Sequence, residues 1–355
     1  MGHLPILKYL HTIGVDLKIS NNYALRRAAG NGHFDVVKYL VENGGDVNDP
    51  KMFILGTAAR HGHLDVVKYL VKCGARLCNE DGDYGVHGTA AYNGRLDVVK
   101  FLLEIESGIN ALNNTLRGAS EGGQLVVAQY LIEFGADVNL VNPGRWSAIK
   151  YACQGGNPDI VKLLVKYGSI IPNDIIGYCV CWGRTYSELQ EKMRVDIIEY
   201  LVELKADVTC DNNCAIISAA RNGNLIVAKC LVENGADFKV NTNEPIRSAI
   251  SYGHIGMVKY LVNLGADFKV NNNSSFEWAA QIGNYSIVEY LIEQGADVQS
   301  NNNYAIKWAS INGKESVVKL LIKHGAISTN ENNIALATRL AEKNKSGINI
   351  VYVDS

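Results

Sequence analysis

The chain has 355 residues, 47% of them apolar, with 34 Lys and Arg against 36 Asp and Glu. The net charge of −2 argues against a globally basic nucleic-acid binder and a strongly acidic solvating chain, and the apolar fraction excludes a disordered one. Eight cysteines are too few for a disulfide scaffold. We predict neither a signal peptide nor a membrane span, and therefore an intracellular, cytoplasmic setting.

One sequence phrase recurs along the chain. It occupies residues 32–44, returns at 62–74, and recurs in variant form at 253–265 and 283–295. Its closing position returns about every 30 residues. A fixed period of this size predicts a solenoid of stacked repeats, not two or three ordinary domains.

Each repeat contains two short helical patterns. The first includes an Ala-Ala pair, as at Ala58-Ala59, and is entered through asparagines, which we expect to act as N-caps. The second is clearest at 65–71, where apolar residues recur at helical spacing, and Gly74 follows as a left-handed stop. Gly-His or Asn-Gly forms the turn between them, and the histidines there are predicted to stabilise that turn by hydrogen bonding.

The chain opens in the second helix of a repeat, because residues 2–10 align with the second-helix phrase. Residues 1–18 are thus predicted to be a half-repeat in which Ile6, Leu7 and Leu10 lack their usual covering helix. Two explanations stay open: the array is shortened from a longer one, or a partner covers this end.

Ten full repeats are predicted after this half-repeat, followed by a charged C-terminal cap helix and tail at 330–355. We place the repeats at about 19–48, 49–78, 79–110, 111–139, 140–172, 173–209, 210–239, 240–269, 270–299 and 300–329.

The repeat at 173–209 is enlarged by about ten residues near 184–194. Ser187 and Gln190 form a capping-box pattern, so we expect the second helix to begin near Ser187. The insert is either a projection that makes contacts or a tolerated loop insertion. Lys205 stands where nine other repeats place glycine, which predicts a left-handed backbone at this lysine.

These units resemble the ankyrin repeat, which has an Ala-Ala helix, a Gly-His turn, a Val-Val-x-x-Leu helix and a Gly-Ala-Asp ending. The sequence Gly-Ala-Asp itself occurs at 235–237, 265–267 and 295–297. The resemblance covers nearly the whole chain and implies an all-α solenoid of paired short antiparallel helices, with ten full repeats between two half-repeats. The units are shorter than the usual repeat of about 33 residues and lack most of its Thr-Pro-Leu-His. This asparagine-rich form is similar to the ankyrin families of giant DNA viruses of amoebae, which implies a host cytoplasm.

No residue set indicates catalysis or a bound metal. Four histidines share one repeated turn: His3, His33, His63 and His254. No Ser/His/Asp or Cys/His set is suggested, and no phosphate loop follows a strand. The cysteine spacing matches no common zinc finger, and free cysteine behaves as a small buried hydrophobe. We therefore predict no enzyme activity, no cofactor and no metal.

In the ankyrin family, the residues that flank the Ala-Ala pair tend to face the concave groove. Forty such positions here carry eight Arg or Lys and two Glu, a net charge of +6 in a chain of −2. Trp, Tyr and Arg dominate interface energies. The candidate partner-binding residues are Arg60, Tyr92, Arg117, Lys150, Tyr151, Trp182, Arg221, Arg247, Tyr252, Trp278, Lys307 and Trp308. The competing interpretation is that these side chains pack between neighbouring repeats.

The resemblance and this surface together predict a monomeric scaffold or adaptor, without catalysis, that binds an acidic or mixed acidic-apolar protein segment. Nucleic-acid binding by the same basic, aromatic-interleaved groove is the alternative. A truncated or decayed array without a specific partner is a third possibility.

Overall fold

The computed structural model describes residues 4–15, 19–48, 53–77, 85–141, 144, 146–180, 186–271 and 273–327. These residues form helices and turns and contain no β-strand, so the all-α prediction is confirmed. The predicted C-terminal cap at 330–355 lies outside the described residues. Among the described helices, none combines the length and the apolar composition needed to cross a membrane.

The chain forms two compact units, Met1–Cys179 and Val180–Ser355. The described helices up to the boundary are α1 (Leu4–Thr12), α2 (Ile19–Gly30), α3 (Phe34–Glu42), α4 (Ile54–His61), α5 (Leu64–Lys72), α6 (Gly85–Tyr92), α7 (Leu96–Ile105), α8 (Ile109–Glu121), α9 (Leu125–Glu133), α10 (Ala148–Gly155), α11 (Pro158–Lys166) and α12 (Ile175–Val180). Those of the second unit are α13 (Glu188–Glu203), α14 (Cys210–Asn222), α15 (Leu225–Glu233), α16 (Val240–Ser251), α17 (Ile255–Asn263), α18 (Ser274–Ile282), α19 (Tyr285–Glu293), α20 (Ser300–Ile311) and α21 (Glu315–Lys323).

Within each unit the helices stack in two rows. The first helices of successive repeats pack on one another, as α2 does on α4 and α16 on α18, and each also packs on the second helix of its own repeat. The core lies between the rows. In one repeat it consists of the Ala58-Ala59 pair on the first helix and Val66, Val67 and Leu70 on the second, all fully buried. Small alanines let the two helices approach, and the branched residues fill the space between them.

The second helices end as the sequence predicts. Gly74 adopts φ 85°, its N–H donates to the carbonyl of Val71 at 2.9 Å, and the N–H of Ala75 donates to the carbonyl of Leu70 at 3.0 Å. This pair of bonds is a Schellman motif, which needs a left-handed residue just after the helix. Lys205 adopts the same conformation with φ 69°, as predicted.

Asparagines enter the first helices differently from the expected N-cap. Asn301, Asn302 and Asn303 all lie in the left-handed region, with φ between 50° and 59°, and residues 211–213 and 241–243 do the same. No side chain caps α14, α16, α18 or α20. The N-cap prediction is therefore wrong for these helices. Asparagine occurs there because it tolerates left-handed backbone better than other residues with a Cβ.

In five repeats, the asparagine six residues before the position of the alanine pair also bonds to the next repeat. The Asn303 Oδ1 accepts the backbone N–H of Ile327 at 2.8 Å. The same bond, spanning 24 residues, joins Asn22 to Asp46, Asn113 to Asp137, Asn213 to Asp237 and Asn243 to Asp267 at 2.8–3.1 Å. These bonds satisfy backbone donors that the turns leave free, and they hold successive repeats in register.

Two histidines of the Gly-His turns, His63 and His254, link neighbouring repeats. The imidazole Nε2 of His63 lies 3.0 Å from the carbonyl oxygen of Gly30, and that of His254 lies 2.8 Å from the carbonyl oxygen of Arg221. Each accepting residue directly follows the alanine pair of the preceding repeat. The predicted hydrogen bonding is thus present at these two histidines, but it connects neighbouring repeats.

A second link joins the second helices. The Nζ of Lys259 lies 5.4 Å from the centre of the Tyr290 ring, in the next repeat. The same pair recurs at Lys8–Tyr39, Lys68–Phe101, Lys100–Tyr130 and Lys229–Tyr260, at 5.1–5.8 Å. The Lys-Tyr dipeptide of the repeat phrase therefore supplies a cation to one neighbour and an aromatic ring to the other.

The described end of the insert packs within the second unit. Ser187 caps α13 in a full capping box with Gln190, as predicted. The Glu191 carboxylate, buried in the next turn, accepts the backbone N–H groups of Ile226 at 2.7 Å and Val227 at 3.2 Å, at the start of α15. The added turns of α13 thus cap the second helix of the following repeat.

Candidate functional site

A surface pocket of about 270 Å³ lies between α16 and α18 of the second unit. Three of the sequence-predicted residues, Arg247, Tyr252 and Trp278, line it together. The remaining lining residues are Glu244, Ser248, Ser251, Ser274 and Ser275.

Helical spacing explains which side chains meet in this pocket. On α16, residue 244 lies three and four positions before 247 and 248, and residue 251 lies four and three positions after them, so the four share one helix face. On α18, residues 274, 275 and 278 present a second face to the same space. Because α16 and α18 are first helices of successive repeats, their packing brings these two faces together.

The pocket combines exposed aromatic rings with an unpaired cation. Tyr252 and Trp278 keep 61% and 45% of their surface exposed. Within the described part of the chain, the Arg247 guanidinium takes part in no ion pair or hydrogen bond. Glu244 accepts a hydrogen bond from the Asn241 side chain at 3.0 Å. The pocket therefore offers apolar contact area beside a free positive charge.

The surface continues on both sides of the pocket. The guanidinium carbon of Arg221, exposed at the end of α14, lies 6.0 Å from the centre of the Tyr252 ring. Lys307 is exposed on α20, the next first helix. We call the residues Arg221, Arg247, Tyr252, Trp278 and Lys307 the α14–α20 surface.

Two other residues that flank the alanine pairs of this unit, the predicted Trp308 and one of the two flanking glutamates, Glu277, are partly or wholly internal. Trp308 is half-buried beside Tyr304, with ring centres 5.8 Å apart, so it belongs partly to the packing of α20. Glu277 is buried, and its carboxylate accepts hydrogen bonds from the side chains of Asn301 at 2.6 Å and Ser300 at 3.5 Å. Burial raises the pKa of Glu277 above its ordinary value, and these two bonds only partly oppose it.

Lys150 and Tyr151 are buried, contrary to their predicted place on an open groove. The Lys150 Nζ donates to the carboxylate of Asp174 at 2.8 Å and to the hydroxyl of Tyr178 at 3.1 Å. The centre of the Trp146 ring lies 5.0 Å from that of the Tyr151 ring at a tilt of 44°, and the Trp146 ring meets the Tyr178 ring edge-on. Burial lowers the pKa of Lys150, but the bonds to Asp174 and Tyr178 outweigh it and leave the pKa above its ordinary value.

Arg117 is also buried, in α8, where it bonds to the Asn114 side chain. Here α8 lies very close to α6: a Cβ at Gly118 would come within 2.5 Å of the Gly88 carbonyl oxygen. The close approach leaves no open groove at this position. These three buried residues correct the predicted surface in the first unit, where Arg60 and Tyr92 are exposed. Trp182 lies outside the described residues.

The cysteines at repeat positions normally held by small or apolar residues are buried, as expected for core packing. Cys153 and Cys179 are fully buried, and Cys230 nearly so. Within the described residues, no three His, Cys, Asp or Glu side chains gather as they would around a metal ion.

Comparison with known proteins agrees with the repeat pattern. A family model described as ankyrin repeats in three copies matches residues 1–81, 55–142, 87–175, 189–272 and 276–351. The chain is 44% identical over 50 residues to the Notch-regulated ankyrin repeat-containing protein of Xenopus tropicalis, which is 13% of this chain and 44% of that protein. For the Homo sapiens protein of the same name the identity is 44% over 43 residues, 12% of this chain and 38% of that protein.

The chain thus spans less than half the length of these curated relatives, and they match only a short part of it. The family model, in contrast, covers nearly all of it, including both described units. With its paired helices, alanine pairs and glycine stops in place, the chain belongs to the ankyrin-repeat family.

Proposed function

We propose that this chain is a non-catalytic adaptor that binds an acidic or mixed acidic-apolar protein segment on the α14–α20 surface. Ankyrin repeats are a general protein–protein interaction module. The observation that carries the proposal is the pocket in which Arg247, Tyr252 and Trp278 meet. An exposed indole and phenol beside an unpaired guanidinium are the groups that most often dominate binding energy at interfaces.

The charge of this surface favours an acidic partner. Arg221, Arg247 and Lys307 are solvent-accessible there, while the carboxylate of Glu277 is turned into the packing between α18 and α20. Complementary charge speeds association and disfavours basic partners. The aromatic rings would supply the desolvated contact area that charge alone does not.

A paired substitution tests the proposal. Full-length protein and the variant Arg247→Ala/Trp278→Ala are used as baits in a lysate, and the captured proteins are quantified by mass spectrometry. For each protein that the variant loses, the purified pair should show an affinity loss of about 2 kcal/mol or more. The matched control is Arg26→Ala, because Arg26 is exposed at the equivalent position of α2 in the first unit.

The unfolding midpoint separates binding from folding. We expect it to move little in the double variant, since both side chains are partly exposed. A destabilisation of several kcal/mol, as buried large-to-small substitutions cause, would assign the two side chains to the core. Equal capture by the wild type, the variant and the control would also reject the proposal and would favour an array without a specific partner.

Nucleic acid is the second candidate, because aromatic rings interleaved with cations also bind single strands by stacking. Salt distinguishes the two. Binding of an oligonucleotide should weaken steeply from low to moderate salt, since phosphate contacts release counterions. Binding of a protein segment anchored on Tyr252 and Trp278 should depend much less on the salt concentration.

We also propose that the chain acts as a monomer in the cytoplasm and is related to the ankyrin families of giant DNA viruses. The support for that relationship is the asparagine-rich turn of the 30-residue unit, seen at 241–243 and 301–303. Sedimentation of the purified protein tests the monomer, with a concentration-dependent mass as the contrary result.

A further inference from the structure

Two serine side chains present their hydroxyl groups to the α16–α18 pocket. Ser248 and Ser275 line the pocket and are 9% and 5% exposed. Neither side chain has a hydrogen-bond partner within the described residues, and both hydroxyl oxygens remain accessible to solvent. Hydroxyls that are accessible from a cavity and have no protein partner are available to donate to a bound ligand.

The charged groups around these hydroxyls favour an acceptor with negative charge. The Arg247 guanidinium lines the same pocket and presents planar donors, which match the two oxygens of a carboxylate. No carboxylate pairs with it in the described part of the chain, since the nearest acidic residue along α16, Glu244, is engaged by Asn241. Ser274 and Ser275 form the first turn of α18, whose dipole also favours an anion.

The negative groups nearby limit the charge of that anion. Glu244 lines the pocket, so its charge offsets that of Arg247. Glu277, in the first turn of α18, is directed to Asn301 and Ser300 in the next repeat. A carboxylate carries a single charge, whereas a phosphorylated side chain carries nearly two at neutral pH. The balance therefore favours a carboxylate.

The volume of the pocket and its aromatic lining residues indicate what the ligand carries besides the carboxylate. A volume of about 270 Å³ is below the usual range for sites that hold drug-sized ligands, so it suits one or two side chains. The exposed faces of Tyr252 and Trp278 border it. An apolar side chain next to the carboxylate would cover them.

We propose that the α16–α18 pocket is a subsite for one Asp or Glu carboxylate of a bound peptide segment, with Arg247, Ser248 and Ser275 as donors and an adjacent apolar side chain on Trp278. This inference rests on the proposed function and assigns the acidic specificity to a single pocket.

The test begins with short random peptides displayed against the full-length protein. The wild type should enrich peptides that carry Asp or Glu next to an aromatic or aliphatic residue. One enriched peptide is then synthesised with the carboxylate and with its amide, Asn or Gln, in that place. Affinities are measured for the wild type, Arg247→Gln, Ser275→Ala and the matched control Arg26→Gln.

We expect the amide to weaken binding to the wild type and to Arg26→Gln by about tenfold or more, the loss for a hydrogen bond to a charged group. In Arg247→Gln the two peptides should bind almost equally, because the partner of the carboxylate is gone. Ser275→Ala should reduce the preference without removing it.

The outcomes separate the two proposals. If peptides bind and Trp278→Ala weakens them, but carboxylate and amide bind equally or Arg247→Gln keeps the full preference, the subsite is wrong and the binding surface stands. A preference for phosphorylated over carboxylate peptides overturns the carboxylate assignment. If no peptide is enriched, or binding ignores Trp278→Ala, the binding surface fails and the subsite with it.

Discussion

Lys205 shows how a single residue departs from the repeat without breaking it. Its N–H donates to the carbonyl of Val202 at 2.8 Å, and the N–H of Ala206 donates to the carbonyl of Leu201 at 2.9 Å, as in the Schellman motifs closed by glycine. At Gly74, which holds the equivalent position, an added Cβ would meet no atom within 4 Å. At such a position the left-handed backbone is the expected cost of a residue with a Cβ.

Replacing Lys205 by glycine should stabilise the protein by about 1 kcal/mol, because a residue with a Cβ pays roughly that in left-handed backbone. The measurement is the midpoint of urea unfolding. Lys205→Ala is the control, since it removes the charge and keeps the Cβ, and it should bring no such gain. A loss of stability in the glycine variant would contradict the proposed cause.

His87 occupies a core position that is apolar in the other described repeats, where the residue three before the alanine pair is Leu25, Leu55, Leu116, Ile149, Ile176, Ile216, Ile246, Phe276 or Ile306. It is 5% exposed, and its Nε2 lies 3.3 Å from the carbonyl oxygen of Leu102. Burial lowers the pKa of His87 below its ordinary value of 6.5, and the bond to Leu102 only partly opposes this.

A lowered pKa in the folded state makes stability depend on pH. Below about pH 6.5 the unfolded chain takes up a proton at His87 that the folded chain resists, so stability should fall from pH 7 toward pH 5. His87→Leu should remove this part of the decline. The measurement is the difference between the unfolding midpoints of the wild type and His87→Leu at each pH from 7 to 5. The contributions of the other histidines are common to both proteins and cancel in this difference. A constant difference would refute the assignment.

At the scale of elements, the extension of α13 decides between the two interpretations of the insert for its described part. Tyr186 donates its backbone N–H to the Asn224 side chain at 3.1 Å, and the Arg194 guanidinium lies 3.9 Å from the centre of the Tyr186 ring. The Tyr186–Asn224 bond and the bonds from the first N–H groups of α15 to Glu191 tie the extension to the next repeat, while the Arg194–Tyr186 contact holds the extension together. The added turns pack rather than project.

Glu191→Ala should destabilise the second unit by about 1–2 kcal/mol, because it removes the acceptor for two N–H groups at a helix start. Chemical unfolding followed by hydrogen exchange in α15 measures the effect. The matched control is Glu188→Ala on the same helix, where the carboxylate is exposed and pairs with Lys192, and it should be nearly neutral. Equal effects would show that the cap is unimportant.

At the scale of the whole molecule, each repeat depends on its neighbours. The asparagine, histidine and lysine–aromatic links all join one repeat to the next, so local stability should follow how well each helix is covered. α1 is the least covered, since it has no buried residue, and Ile6 and Tyr9 are 55% and 64% exposed.

Amide hydrogen exchange should therefore be faster in α1 than in α3, whose Val37 and Leu40 are buried. The two helices share the same repeat phrase, so α3 is a matched internal control. Mass spectrometry of the intact monomer gives the comparison. Equal protection of α1 and α3 would mean that α1 is held by contacts that its exposure does not reveal.

Several features were predictable because they depend on neighbours along the chain. The helix pairs, the glycine stops, the left-handed Lys205 and the Ser187 capping box all follow from local backbone preferences and from apolar spacing. The asparagine turns were misread because asparagine suits both a helix N-cap and a left-handed turn. The choice between them depends on a backbone donor 24 residues away.

The sequence by itself determined the repeat, its period and its two helical patterns, because apolar and turn residues that recur about every 30 residues specify stacked helix pairs. Tertiary structure alone decided which residues beside the alanine pairs stay open. Lys150 and Arg247 hold the same place in the repeat, yet Asp174 and Tyr178 enclose the first, while serines and an open pocket border the second. Exposure at such a position depends on side chains one repeat away, which no local pattern encodes.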